Sequence, residues 1–529
     1  MRCRRLFAFA CLIAGAAIAQ AAKEPFPGVD DKWRCYETPH FELFSRADDA
    51  DSRELLESLE LLHAMFLETA RIRARMPLPV TIYYFRDEDA FLPYVPAAMR
   101  SEERTAAFYL RRPDRAVIVV SPTWGSDWAR RLIFHEYIHH MTAIAGDDPP
   151  LWYAEGVAEL FSTIKENSDG LEYGESIPEH LQELRKEKMM PLAALFATDH
   201  TSGAYNEDKR AGMFYAESWA FMHYWYCGNL KLTPERLRLR DRFFEYIRSE
   251  TEKGDPEVRR QLFEQALGRN YATMARDLES YVERGTYYRF KVPRPKIASR
   301  ESYVVRPVSR DEIRRQLATL DLRVNRSPLA KLALLDAISR NPADYIAYET
   351  LGMDAAIDGN DNEARDRWNQ ALAAGSTNPA IFHELAAIED RTWFSRFDLD
   401  FRLPAAAAER LRNLLHRSIE SAPDQSQAYE ILAWVEAAVE KPSAKEINLV
   451  QQHVGAMSDK NRTLLALAVI RVRVGDFKTA RTIVGVLEKS PRRPEISRAC
   501  ATLREYIAQH APDETPPEEA PKPEAGKGG

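Results

Sequence analysis

Residues 134–140 read Phe-His-Glu-Tyr-Ile-His-His inside an otherwise apolar run, RLIFHEYIHHMTAI. Imidazoles and a carboxylate placed in an apolar helix cost free energy unless something satisfies them. His135 and His139 are four residues apart, so on a helix they lie about 400° around the axis, on one face and one turn apart. At that spacing two neutral imidazoles each offer a nitrogen to one ion, and zinc is the ion such H-E-x-x-H pairs hold. Glu136 is turned by about 100° from His135. It reaches a water at the metal without being a ligand, and is placed to take that water's proton. His140 points away from the ligand face and reads as a surface or packing residue.

A catalytic zinc takes three protein ligands and keeps one position for water. WYAEGVAELF supplies the third candidate, Glu155, with fifteen residues between it and His139. From His139 to the helix end near Ala145 the rise is about 9 Å, and from Leu151 to Glu155 about 6 Å. A second helix running back after a turn through GDDPP therefore brings Glu155 level with the histidines. Glu159, one turn further on, is placed to accept a hydrogen bond from the unbound nitrogen of a ligand histidine. The stretch FYAESWAFMHYWY has two readings. Tyr215 or His223 is able to hydrogen-bond a developing oxyanion. Alternatively Tyr215, Trp219, Met222 and Tyr226 form one helical face, and such aromatic stripes commonly serve packing.

At these residues, "HEYIHH…PPLWYAEGVAELF", the sequence resembles the gluzincin metallopeptidases, and most of all their peptidase-MA-like branch. The resemblance covers roughly residues 34–230. It implies a zincin-like peptidase fold with His135, His139 and Glu155 as zinc ligands, Glu136 as general base and Glu159 as the acidic residue behind the ligands. No G-x-M-E-N-type segment lies upstream, so the aminopeptidases' grip on a free N-terminus is not implied.

Those side chains need a scaffold. HFELFS, LPVTIYYF and RAVIVVS are rich in β-branched and aromatic residues between turn formers and read as strands. TAAFYL, RRPD and AVIVVS read as two short strands joined by a turn, and either strand is a candidate edge for an extended peptide substrate. SRELLESLELLHAMFLETARIRAR has apolar residues at helical spacing. The motif helix starts near Ser126-Asp127, good N-cap residues, and ends near Gly146. Helices dominate onward to 285, including AESWAFMHYWY, ERLRLRDRFFEYIRS and MARDLESYVERG. Residues 286–310 are rich in Pro, Arg and Ser and read as a linker.

From 311 to 510 the pattern is helical with a weak internal period. In YETLGMDAAIDGNDNEARDRWNQAL, Leu351-Gly352, Ala355, Gly359, Ala364, Trp368 and Ala371 fall at the offsets of the tetratricopeptide (TPR) repeat. Leu467-Ala468, Gly475, Ala480, Val484 and Leu487 repeat those offsets, and RTWFSRFDLDFRLP interrupts them. The tail, 511–529, is too polar to bury a core and is expected to be disordered.

The bulk numbers bound the rest. The chain has 529 residues, 45% hydrophobic and 29% charged, enough for two or more cored domains. A formal charge of −7 and a pI near 6.0 argue against nucleic acid as the main partner. MRCRR, an apolar run and Ala17-Ile18-Ala19 form a bacterial-type signal peptide over 1–19, too short to span a bilayer as a stable transmembrane segment. Cleavage there removes three arginines and takes the charge to −10. Cys35, Cys227 and Cys500 remain, without CxxC spacing; a Cys35–Cys227 disulfide and buried free thiols are both open.

The expectation is an α+β peptidase domain over 32–285, a linker over 286–310 and an all-α TPR-like domain over 311–510. The chain then acts as an exported, periplasmic or secreted, zinc-dependent hydrolase of peptide bonds, with a protein substrate or partner on the repeats. The alternatives are a catalytically silent zincin-fold scaffold, repeat arrays being good binding surfaces, and hydrolysis of a non-peptide amide.

Overall fold

Strand-forming segments in the first third of the chain pair into one mixed sheet. In the computed structural model the described residues run from 24 to 511, except 31, 71–75, 77, 100–106, 122–126, 145–148, 200–201, 203–207, most of 229–255, 395–396, 424, 458–459 and 489–493. The signal segment and nearly all of the tail thus lie outside the described residues. So do Ser126, most of the turn GDDPP and most of ERLRLRDRFFEYIRS.

The strands are β1 (Arg34–Glu37), β2 (Phe41–Ser45), β3 (Val80–Tyr84), β4 (Ala107–Arg112), β5 (Arg115–Val120) and, far downstream, β9 (Val304–Pro307), in the order β4-β5-β3-β2-β1-β9. β2, β3 and β5 run parallel, while β4, β1 and β9 pair antiparallel to their neighbours. β3 is paired on both sides, and its five residues VTIYY are all buried, as a strand covered on both faces should be.

Alternation along the strands builds two cores. Phe41, Leu43, Ile82, Ile118 and Val120 face one way, toward helix α1 (Asp49–Ala70) and helix α2 (Asp127–Ile144), which brings Ile133, Tyr137 and Met141. Phe44, Tyr83, Val117 and Val119 face the other way, toward Ile313, Leu317 and Leu351. These last residues come from helices beyond the stretch expected to be a linker.

That expectation is corrected here. Residues 286–310 carry β8 (Phe290–Val292), which closes a small sheet with β6 (Lys165–Asn167) and β7 (Gly170–Tyr173), and β9, which pairs with β1. Helices α3 (Leu151–Ser162), α4 (Pro178–Lys186), α5 (Leu192–Ala197), α6 (Asp208–Tyr226), α7 (Pro256–Leu267) and α8 (Tyr271–Arg284) lie between. After β9 follow α9 (Arg310–Asn325), α10 (Pro328–Arg340), α11 (Tyr345–Ile357) and α12 (Asp361–Ala373). All of these belong to one compact unit ending at Asn378, so the unit boundary lies well past residue 310.

The offsets read as repeats have a local packing meaning. α11 and α12 pack together around Gly352, where an added Cβ would lie 2.4 Å from the Trp368 indole nitrogen. Gly359, in the turn between them, has φ +74°, a conformation that glycine adopts without strain. The second unit, from Pro379, is all-helical among the described residues: α13 (Pro379–Trp393), α14 (Ala405–Ser421), α15 (Ser426–Ala438), α16 (Ala444–His453), α17 (Asn461–Arg473), α18 (Phe477–Leu487) and α19 (Pro494–His510). The interrupting segment is not idle: Phe394, Phe397, Leu399 and Phe401 pack against this unit's core.

Cys35, Cys227 and Cys500 are buried free thiols, and Cys35 and Cys227 sit in different core clusters. No helix among the described residues is long and apolar enough to cross a membrane.

Candidate metal centre

α2 buries Ile133, Phe134, Tyr137, Ile138 and Met141, which leaves His135, Glu136 and His139 for its other side. Two side chains lock its rotation. The Tyr137 hydroxyl lies 2.7 Å from His63 Nδ1 on α1, and His140 Nδ1 lies 2.8 Å from the Tyr109 hydroxyl on β4. His140 is therefore a packing residue that ties the motif helix to the sheet.

α3 packs against both α2 and α6. Its approach to α6 depends on Gly156, where a Cβ would stand 2.5 Å from the Ser218 carbonyl oxygen and from Met222. A side chain there would push the helices apart. Glu155, the neighbouring residue, is buried and turned toward α2.

The three expected ligands meet. His135 Nε2 and His139 Nε2 are 3.0 Å apart, and Glu155 Oε2 lies 3.2 Å from the first and 3.1 Å from the second. Tetrahedral zinc with bonds of about 2.0–2.1 Å sets its donor atoms about 3.3 Å apart. The spacing and the donor set, two nitrogens and one carboxylate oxygen, both fit that ion. With both rings neutral and protonated on Nδ1, three lone pairs would point at one place. Only a shared cation or proton relieves that repulsion.

The electrostatics agree. Burial alone would lower His135, but its hydrogen bond to Glu155 and the charges of Glu159, Glu155 and Glu136 outweigh it and raise it to about 9. Burial opposes ionisation of Glu155, yet the hydrogen bonds and charges of His135 and His139 hold it well below the usual carboxylate range. Burial pushes Glu136 up, against the pull of His135 and His139. Three carboxylates around two imidazoles make a site that attracts a cation.

The remaining candidates divide. Glu136 is half-buried and makes no hydrogen bond or ion pair among the described residues. Glu159 faces the far nitrogen of His135, with Oε1 3.5 Å from Nδ1. Tyr215 is half-buried with its ring centroid 6.3 Å from that of His135, so it borders the site, whereas Trp219 and Met222 are wholly in the core. His223 is not at the site. It is buried between the Tyr281 hydroxyl, 2.7 Å away, and the Gly174 carbonyl, 2.8 Å away.

One participant had no signal in the sequence. His180, on α4, sits with Nε2 3.2 Å from Glu159 Oε2. It stands alone in IPEHLQEL, at no spacing that relates it to the motif helix. Set against protein-family models, curated proteins and solved structures, the chain matches none of them.

Proposed function

We propose that this chain is a zinc-dependent peptidase of gluzincin type, exported by its N-terminal segment. The observation that carries this reading is the convergence of His135 Nε2, His139 Nε2 and Glu155 Oε2 within 3.0–3.2 Å of one another. Those three side chains would hold the ion. Zinc, when bound, supplies Lewis acidity that polarises a carbonyl and acidifies water to a pKa of about 7.

The protein's own residues do the rest. Glu136 takes the proton of the attacking water and returns it to the leaving amine nitrogen as the peptide C–N bond breaks. Tyr215, whose ring borders that of His135, is the residue assigned the hydrogen bond to the oxygen that gains charge as water attacks. Of the two strands considered for substrate, β5 is paired on both sides, while β4 ends the sheet and packs against α2. An extended peptide added to β4 lies beside the motif helix. The helical region beyond offers a protein-binding surface of the TPR kind, supported by the Gly352–Trp368 packing.

Chelation tests the reading. Treating the full-length protein with a strong chelator is expected to abolish hydrolysis of a mixed peptide library, and one equivalent of zinc to restore it. Hydrolysis that persists in the chelated protein would refute a metal-dependent peptidase.

A further inference from the structure

We propose that His180 is a positioning residue for the metal centre, acting through Glu159 to fix the orientation and tautomer of His135. The inference rests on the zinc-site reading above. Glu159 lies between two imidazoles, with Oε1 3.5 Å from His135 Nδ1 and Oε2 3.2 Å from His180 Nε2. A carboxylate held on one side alone is free to swing about its side-chain torsions. With an imidazole nitrogen beside each oxygen, its swing is confined and it presents one acceptor to Nδ1.

That acceptor decides which nitrogen of His135 carries the proton. Only the tautomer protonated on Nδ1 leaves the Nε2 lone pair for a cation, and Nε2 is the atom that faces His139 and Glu155. His180 is itself held in place. Its ring centroid lies 5.9 Å from that of Trp219, which is fully buried on α6. Its Nε2 is sealed from water and makes no hydrogen bond of regular geometry, and the carboxylate beside it is Glu159, 3.2 Å away. Pro178 opens α4 two residues earlier, where a missing N–H costs nothing, and so sets where the helix starts.

Zinc affinity of the full chain is the readout, measured by competition with a chromophoric chelator. Partners one layer behind a ligand histidine are worth about 10–100-fold in metal affinity. His180→Phe keeps a ring against Trp219 and removes the nitrogen; it is expected to weaken zinc binding about 10-fold, with the melting temperature of the metal-free protein unchanged. His180→Gln carries an amide N–H to about the place of Nε2 and should recover most of that loss.

In a Glu159→Ala background, His180→Phe should add nothing, because His180 acts only through that carboxylate. Should the Phe variant not fold, His180→Met asks the same question with a flexible side chain that lacks a donor. Wild-type affinity in the Phe or Met variant, or an equal loss with and without Glu159, would overturn the role of His180 and leave the metal site standing. A wild-type chain that binds no zinc would overturn the site itself.

Discussion

Glu136→Gln is expected to lower kcat by about 10²–10⁴-fold while the protein keeps its full complement of zinc. The substitution replaces one oxygen by an amide of the same shape and removes the capacity to take a proton. Glu136 shares the motif helix with His135 and His139 but is not among the three converging donor atoms. Its loss therefore touches proton transfer and not metal retention. In transition-state terms the effect is about 3–5 kcal/mol. The measurement is kcat and KM on one peptide substrate, alongside zinc stoichiometry. A variant as active as wild type would remove Glu136 from the mechanism, and a variant that loses zinc would make it a ligand.

Asp114→Ala is expected to destabilise the first unit by about 3–5 kcal/mol, the usual cost of leaving one member of a buried ion pair alone. Asp114 lies in the turn between β4 and β5 and accepts two hydrogen bonds from the Arg323 guanidinium of α9, with both side chains almost wholly buried. The same turn is gripped twice more. Asn378 donates to the Asp114 carbonyl at 3.1 Å, and Arg115 Nη2 stands 3.4 Å from Glu349 on α11. Glu349 in turn accepts from Ser376 and Asn378. This network fastens α9, α11 and the segment that follows α12 to the sheet against which the motif helix packs. Urea unfolding of the intact chain reads the change. A loss under about 1 kcal/mol would mean the pair contributes little beyond exposed ion pairs.

That network also explains what the sequence could and could not disclose. The HExxH spacing is legible because ligand geometry is written in a four-residue interval on one helix. Glu155 is legible for a related reason: helix rise per residue converts chain distance into height, and α3 does pack on α2. β3 and β5 announce themselves as continuous apolar runs. β1 and β9 do not, since RCYE and VVRP are four residues each, and β9 acquires strand character only by pairing with β1 across some 270 residues of chain.

The Pro- and Arg-rich stretch 286–310 looks like a linker because its burial comes from distant partners that local composition cannot express. His180 was invisible for the same reason. Its role comes from facing Glu159 across the fold, and no interval in the sequence encodes that meeting. Tyr215 and Trp219 occupy one helical stripe, yet one borders the site and the other fills the core. Periodicity assigns both to a face but does not say where along its length the packing ends.

X-ray diffraction at the zinc absorption edge, from crystals of the full chain equilibrated with one equivalent of zinc, reads whether His135, His139 and Glu155 share an ion. A single strong anomalous peak is expected about 2.0–2.2 Å from His135 Nε2, His139 Nε2 and a Glu155 carboxylate oxygen. No peak among those three side chains, with the zinc elsewhere or absent, would contradict that shared site.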